Sequence, residues 1–326
     1  MNYFILLIGF ILLIKGADIF VDGASTIAKK LGIPAVIVGL TIVSLGTSAP
    51  ELAISLISGI NGSNEITIGN VMGSNIFNTL MVLGTTSVVL PLMIKKSTVK
   101  SDFFVNTLVT LLLFIFTFDS LFMFNSNIIS RLDGFILVLI CVAYIIFLIK
   151  KSKNISNKDD LEISNELDNS NNKINILHKV ILMIIGVAGI IIGGNLVVDS
   201  ATNIAFSLGM SEKLVGLTIV AIGTSLPELV TSIVAALKGE NDIALGNVLG
   251  SNIFNILLIL GLSSLINPIS VSQTLLTDFI YLIFVNILMV GLVFFNKSKE
   301  KTLTRLEGFL LIGLYIGYMA YIIIRN

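Results

Sequence analysis

Residues Gly16 to Ile94 of this 326-residue chain align without a gap on Gly193 to Val271, at a constant offset of 177 positions. Gly39-Leu40-Thr41-Ile42-Val43 returns as Gly216-Leu217-Thr218-Ile219-Val220, Asp22 as Asp199, and Gly62 as Gly239. A duplication of this length restricts the chain to a fold that uses one unit twice. The units sit in a chain that is 55% hydrophobic and only 12% charged, with mean hydropathy +1.00. Soluble domains carry about 25% charged residues, so both units belong in a bilayer.

Apolar runs predict ten spans, near 4–22, 34–60, 68–92, 102–118, 133–150, 179–198, 213–237, 245–267, 276–296 and 306–324. The expected fold class is therefore all-α and integral to the membrane. Residues 1–150 form a first five-span half, 151–176 a polar Asn-rich linker, and 177–326 a second five-span half. Five is odd, so the second half enters the bilayer from the opposite side. The ten helices are expected as two inverted five-helix repeats, an arrangement that places a shared site near the midplane of many secondary transporters.

Loop charge orients the chain. With the N-terminus outside, the cytoplasmic segments hold 16 Lys and Arg residues and the outside segments three (Arg131, Lys213 and Arg325). The positive-inside rule then predicts a cell-membrane protein with both termini external and the linker cytoplasmic. Met1 to Phe20 lacks a basic leading region and carries Lys15, so it reads as a first span rather than a cleaved signal. Net charge is zero, which offers nucleic acid no basic surface, and the single Cys141 makes no internal disulfide. His178 at the linker edge reads as solvated, and Lys15, Asp18 and Asp22 as an interfacial or packing group.

Two repeated blocks carry the chemistry. Gly46-Thr47-Ser48-Ala49-Pro50-Glu51 returns as Gly223-Thr224-Ser225-Leu226-Pro227-Glu228. A carboxylate at bilayer depth costs roughly 2.5 to 3.5 kcal/mol or more, and Pro frees a carbonyl one turn back. Each span should break there, exposing carbonyls near Ser44 and Leu45, and near Ala221 in the second copy. Such a break is tolerated only where the backbone lines protein or water. Carbonyls, the hydroxyls of Thr47, Ser48, Thr224 and Ser225, and the carboxylates of Glu51 and Glu228 make the oxygen mixture that hard cations such as Ca²⁺ take.

The second block, Gly69-Asn70-Val71-Met72-Gly73-Ser74-Asn75-Ile76-Phe77-Asn78, returns as Gly246-Asn247-Val248-Leu249-Gly250-Ser251-Asn252-Ile253-Phe254-Asn255. Ser74 and Asn78 share a helix face, as do Ser251 and Asn255. Gly69, Gly73, Gly246 and Gly250 are expected to let helices approach closely. A Pro kink or a Gly-x-x-x-Gly pair alone is most often packing; the duplicated blocks with Glu and Pro in register point instead to a cation site.

These paired blocks resemble the two alpha-repeats of the sodium/calcium exchanger family, within the calcium/cation antiporter superfamily. The resemblance covers the whole chain and implies ions bound between spans two, three, seven and eight. It implies Glu51 and Glu228 as calcium ligands, and Thr47, Ser48, Ser74, Thr224, Ser225 and Ser251 as hydroxyl ligands. It implies Ser44 and Ala221 as carbonyl ligands and Asn78 and Asn255 as amide ligands. Many relatives carry Asp at one of the last two positions; here both are Asn, which gives two carboxylates rather than three and argues against potassium co-transport.

The function these features imply is exchange of Ca²⁺ for Na⁺, with both ions as substrates. The alternative is antiport of Ca²⁺ or another divalent cation against H⁺, since buried glutamates can also be driven by protonation. No P-loop, His-Glu-x-x-His or Gly-x-Ser-x-Gly motif occurs, so no ATPase or membrane enzyme, catalytic residue or cofactor is expected. An ion channel would share the acidic pore. No protein partner is evident from the sequence.

Overall fold

Pro50 breaks the second apolar run where the sequence places it. In a computed structural model that describes residues 2–118, 127–163, 176–210, 221–294 and 300–325, helix α1 spans Asn2–Leu31. It is followed by α2 (Ala35–Thr47) and α3 (Ala49–Ile60), which meet at 52°. Ser48 at the joint has φ −81° and ψ 9°, and Pro50 lies in the first turn of α3, where its missing N–H costs nothing. Then come α4 (Asn64–Val89), α5 (Lys96–Thr117), α6 (Arg131–Ile163) and α7 (Ile176–Ser207). The chain continues through α8 (Ala221–Gly223), α9 (Leu226–Leu237), α10 (Asn241–Ile266), α11 (Leu276–Phe294) and α12 (Arg305–Arg325).

Among the described residues, eight helices are long and apolar enough to cross a bilayer, and the bent pair α2–α3 makes a ninth. The expected seventh span, 213–237, is described only from Ala221 onward. Its visible part repeats the first break, with Ser225 at φ −95° and ψ 7° ahead of Pro227 in the first turn of α9. Turns after α3 and α9 match as well. Gly62 and Gly239 hold φ of +73° and +79°, the left-handed conformation that ends a helix without a Cβ penalty.

Two features depart from the all-helical expectation. Strand β1 (Leu92–Lys95) pairs antiparallel with β4 (Glu300–Leu303), with Leu92 opposite Leu303. Strand β2 (Ile128–Ile129) pairs with β3 (Ile269–Ser270), with Ile129 opposite Ile269. The four strands are too short to carry a legible alternation, and each forms because its partner covers an edge. The polar stretch from residue 151 also begins as helix, α6 continuing to Ile163, while residues 164–175 lie outside the described ones.

Helix α1 runs well past the expected end near residue 22. At about 1.5 Å per residue its 30 residues reach roughly 45 Å, longer than a bilayer core of about 30 Å, so it must tilt. Glycines set its contact with α7. A Cβ on Gly16 would sit 2.7 Å from the Gly186 carbonyl oxygen, and one on Gly193 2.5 Å from Leu13 N. Without a hydrophobic drive between helices in lipid, such close backbone packing is what holds the pair.

The duplication also reaches further than the gapless alignment. Arg131-Leu132-Asp133-Gly134-Phe135 returns as Arg305-Leu306-Glu307-Gly308-Phe309, at an offset of 174. Both copies open with a capping box: Asp133 accepts from Ser130 N, and Glu307 from Thr304 N, each at 2.8 Å. Gly134 packs on the Gly261 carbonyl of α10 and Gly308 on the Gly84 carbonyl of α4, each leaving 2.7 Å for a Cβ.

Candidate ion-binding site

The two helix breaks place their hydroxyls against each other's carboxylates. Ser48 donates to Glu228 Oε1 at 2.9 Å, and Ser225 donates to Glu51 Oε1 at 3.2 Å. The hydroxyls of α4 and α10 join them. Ser251 Oγ lies 2.9 Å from Ser48 Oγ, and Ser74 Oγ 3.1 Å from Ser225 Oγ. Six of the residues singled out in the sequence therefore meet as two matched triads, Ser48 with Glu228 and Ser251, and Ser225 with Glu51 and Ser74. Both glutamates are fully buried.

The triads leave oxygens over. Glu51 Oε2, Glu228 Oε2, Asn78 Oδ1 and Asn255 Oδ1 are buried without a hydrogen-bond partner among the described residues. No Lys, Arg or His among those residues pairs with either carboxylate. Buried carboxylate oxygens without partners are expensive. This arrangement needs a cation, or protons, to be stable.

Not every expected residue faces these triads. Thr47 turns its hydroxyl to Asn247 Oδ1 at 3.0 Å and to the Ser44 carbonyl at 3.2 Å. That carbonyl also accepts Ser48 N–H at 2.9 Å, so it is not the freed group the sequence suggests. Helix α2 keeps its bonding through the turn after Ser44, because the break falls at Ser48, one turn later. Ser44 Oγ binds the Leu40 carbonyl at 2.8 Å. Ala221 opens α8, and the Thr224 hydroxyl is buried without a partner among the described residues.

Four asparagines inside the repeated block escaped attention and hold the site together. Asn70 Nδ2 donates to the Glu51 carbonyl at 3.2 Å and to Ser55 Oγ at 2.9 Å. Asn247 does the same to the Glu228 carbonyl at 3.3 Å and Ser232 Oγ at 3.0 Å. Asn75 donates to the Asn252 carbonyl at 3.1 Å, and Asn252 to Thr79 Oγ1 at 2.8 Å. Their repetition was the available signal. A further one is structural: Asn78 and Asn255 each begin a wide π turn, Asn78–Val82 and Asn255–Leu260, a distortion found often at functional sites.

The glycines behave unequally. A Cβ on Gly246 would lie 2.6 Å from the Val36 carbonyl oxygen and one on Gly250 2.5 Å from that of Leu40, so α10 presses against α2 as expected. Gly69 and Gly73 do not show this contact. Among the described residues no atom comes within 4 Å of a Cβ built on either. Both instead line a cavity of about 420 Å³ that Asn70, Ser74 and Thr224 also border, with Glu65, Asp278 and Arg325.

The ionic group expected on α1 is only partly as read. Asp18 and Asp22 share Lys238 Nζ at 2.8 and 2.7 Å. Lys29 binds Glu240 at 2.7 Å. Lys15 is exposed elsewhere on the helix. These pairs tie α1 to the turn between α9 and α10.

The sequence profile described as Sodium/calcium exchanger protein matches residues 1–150 and 178–324. The chain is 37% identical over 314 residues to the Putative antiporter CaxA of Alkalimonas amylolytica, covering 96% of this chain and 95% of that one. It is 34% identical over 343 residues to the Sodium/calcium exchanger MaX1 of Methanosarcina acetivorans, covering 98% and 97%. The solved structure of the Sodium/Calcium Exchanger from Methanococcus jannaschii superposes with a TM-score of 0.81 at 29% identity, over 98% of this chain and 97% of that one. With its apolar helices and this match over nearly its full length, the chain belongs to the sodium/calcium exchanger protein family and is a multi-pass membrane transporter rather than an enzyme.

Proposed function

We propose that this protein exchanges Ca²⁺ for Na⁺ across the cell membrane by alternating access to one shared site. The residues assigned to it are Glu51, Glu228, Ser48, Ser225, Ser74, Ser251, Asn78, Asn255, Thr47 and Thr224, with backbone carbonyls near Ser44 and Ala221. The observation that carries this reading is the set of four unpartnered buried oxygens on Glu51, Glu228, Asn78 and Asn255. Two carboxylates are balanced by one Ca²⁺ or by two Na⁺. Both ions take oxygen ligands, so competition for the same cage couples their movement without ATP.

The proposed frame is ten transmembrane helices in two inverted halves, 1–150 and 177–326, joined by a cytoplasmic linker, with both termini outside. Support comes from the reciprocal Ser48–Glu228 and Ser225–Glu51 bonds and the matched breaks at Pro50 and Pro227.

The test is ⁴⁵Ca²⁺ uptake into proteoliposomes driven by an outward Na⁺ gradient. Glu51→Gln and Glu228→Gln should each reduce uptake by roughly 10² to 10³-fold, the scale of removing one partner of a buried charged site. Near-normal uptake by either variant would remove the site assignment. Uptake driven by a pH gradient with Na⁺ absent would assign the coupling ion to H⁺ instead.

A further inference from the structure

Beyond the gapless repeat both halves hold a group that no motif announces, with Asp102 and Asp278 at an offset of 176 and Tyr144 and Tyr318, and Lys151 and Arg325, at 174. Asp278, in the first turn of α11 and only 1% exposed, accepts Arg325 Nη1 at 3.1 Å on Oδ1 and 3.0 Å on Oδ2. It also accepts the Tyr318 hydroxyl at 3.3 Å. Tyr318 is stacked on Tyr281 with ring centres 4.8 Å apart, and Arg325 also donates to the Thr274 carbonyl at 3.1 Å. The first half holds the same set. Asp102, fully buried, accepts Lys151 Nζ at 2.9 Å. Tyr144, which matches Tyr318 at offset 174, interacts electrostatically with Asp102 without reaching hydrogen-bond geometry.

The copies differ in what they face. Asp278, Tyr318 and Arg325 form the wall of the cavity of about 420 Å³ that reaches Ser74 and Thr224, with Glu65 on the same wall. Asp102, Tyr144 and Lys151 are not among its lining residues. A buried ion pair is a weak source of stability, since desolvation offsets the attraction. The copy on the wall of a cavity that also borders Ser74 and Thr224 has a better account. A carboxylate set in the low-dielectric wall of a narrow cavity raises the local concentration of cations. A guanidinium tethered beside it keeps that carboxylate neutralised until a mobile cation displaces it.

We propose that Asp278 is an access-path residue that concentrates incoming cations on the face bearing Glu65, with Arg325 as its tethered counter-ion. The proposal rests on the exchanger reading above and adds residues outside the central site.

The experiment measures the KM for Ca²⁺ separately at each face in orientation-selected proteoliposomes. Flux is driven by whichever of the Na⁺ or pH gradients the wild-type protein uses, so the coupling ion is not at stake. Asp278→Asn should raise KM on the Glu65 face by roughly 3 to 10-fold, a low-end value for electrostatic focusing. The opposite face and the rate at saturating Ca²⁺ should stay within about twofold. Asp102→Asn, whose pair does not line that cavity, should leave KM on the Glu65 face within about twofold. Arg325→Gln should lower KM on the Glu65 face, because the competing cation is gone. Raising ionic strength with choline chloride should weaken the wild-type advantage on the Glu65 face, a measurement that stands even if Asp278→Asn fails to assemble. Equal shifts on both faces, no shift, a salt-independent KM, or Arg325→Gln raising KM as Asp278→Asn does would each overturn the proposal and make the pairs structural ties. Retained saturating flux in Asp278→Asn leaves the exchanger reading intact whichever way KM moves.

Discussion

The block from Gly69 to Asn78 and its copy from Gly246 to Asn255 differ only in Met72 against Leu249, yet they meet different surroundings. The most apolar window of α10 is 94% buried and that of α4 72%. Gly246 and Gly250 are pressed onto the α2 backbone, while Gly69 and Gly73 border the cavity. The same contrast holds one layer away. Thr47 is clasped to Asn247 at 3.0 Å, but Thr224 has no partner among the described residues, although Asn70 makes every other bond that Asn247 makes. Identical local sequence produces the same helix, the same π turn and the same inward face. The backbone that packs on Gly246 and Gly250 is that of Val36 and Leu40, whose copies at 213 and 217 lie outside the described residues.

The largest effect should come from adding a methyl group to each groove. Gly246→Ala places a Cβ within 2.6 Å of the Val36 carbonyl, and overpacking of this kind costs roughly 1–3 kcal/mol or more. Gly69→Ala meets open space among the described residues and should leave the melting temperature of purified protein nearly unchanged. It should nonetheless slow Na⁺-driven Ca²⁺ flux, because the groove would have to close on that methyl in the opposite conformation. Equal melting shifts for the two variants would break the comparison.

A smaller contrast is expected at the threonines. Thr47→Val removes a buried hydrogen bond and strands Asn247 Oδ1, a loss of about 1–3 kcal/mol. Thr224→Val removes a hydroxyl with no partner and should change stability in ion-free buffer by about 0.5 kcal/mol or less. Thermal unfolding of both variants, with and without Na⁺, sharpens the point. If Thr224 is an ion ligand, its variant alone should lose stabilisation by Na⁺.

The weakest prediction concerns the one-sided ionic ties. Burial opposes ionisation of Glu240, but Lys29 and Ser25 outweigh it and hold its carboxyl below the ordinary value of 4.5. A depressed carboxylate contributes stability that is present above the unfolded value and lost as pH falls through the folded one. The tie between α1 and the α9–α10 turn should therefore persist at neutral pH and weaken only below about 4.5. Lys238→Gln, which frees Asp18 and Asp22, should cost about 1 kcal/mol or less, an effect that shrinks in high salt. Hydrogen exchange at the end of α1 would follow both changes. Faster exchange across all helices, rather than there alone, would show that the tie is global.

Much of this architecture was legible in advance. Glu51, Glu228 and the paired serines meet where Gly, Pro and Glu in register break each helix. The duplication gave the two halves, and Pro50 gave the break. What stayed hidden has physical causes. Beyond Ile94 the offset shifts, to 176 between Asp102 and Asp278 and to 174 from Arg131 onward, so a gapless comparison passes over this pair. The strands at Leu92 and Ile269 carry no pattern of their own. Asn70 and Asn247 read as part of a packing block, because hydrogen bonds to another helix's backbone leave no periodic trace.

Sequence alone determined that this chain lives in lipid, that it is built twice, and that two carboxylates with their hydroxyls lie inside. Hydropathy, Pro chemistry and the cost of buried charge act locally, so they can be read residue by residue. Tertiary structure alone decided that each serine serves the other half's glutamate, that one glycine face is packed while its copy borders a cavity, and that Asp278 lies on that cavity's wall. Those outcomes depend on which surfaces meet, and a repeated sequence offers both copies the same choice.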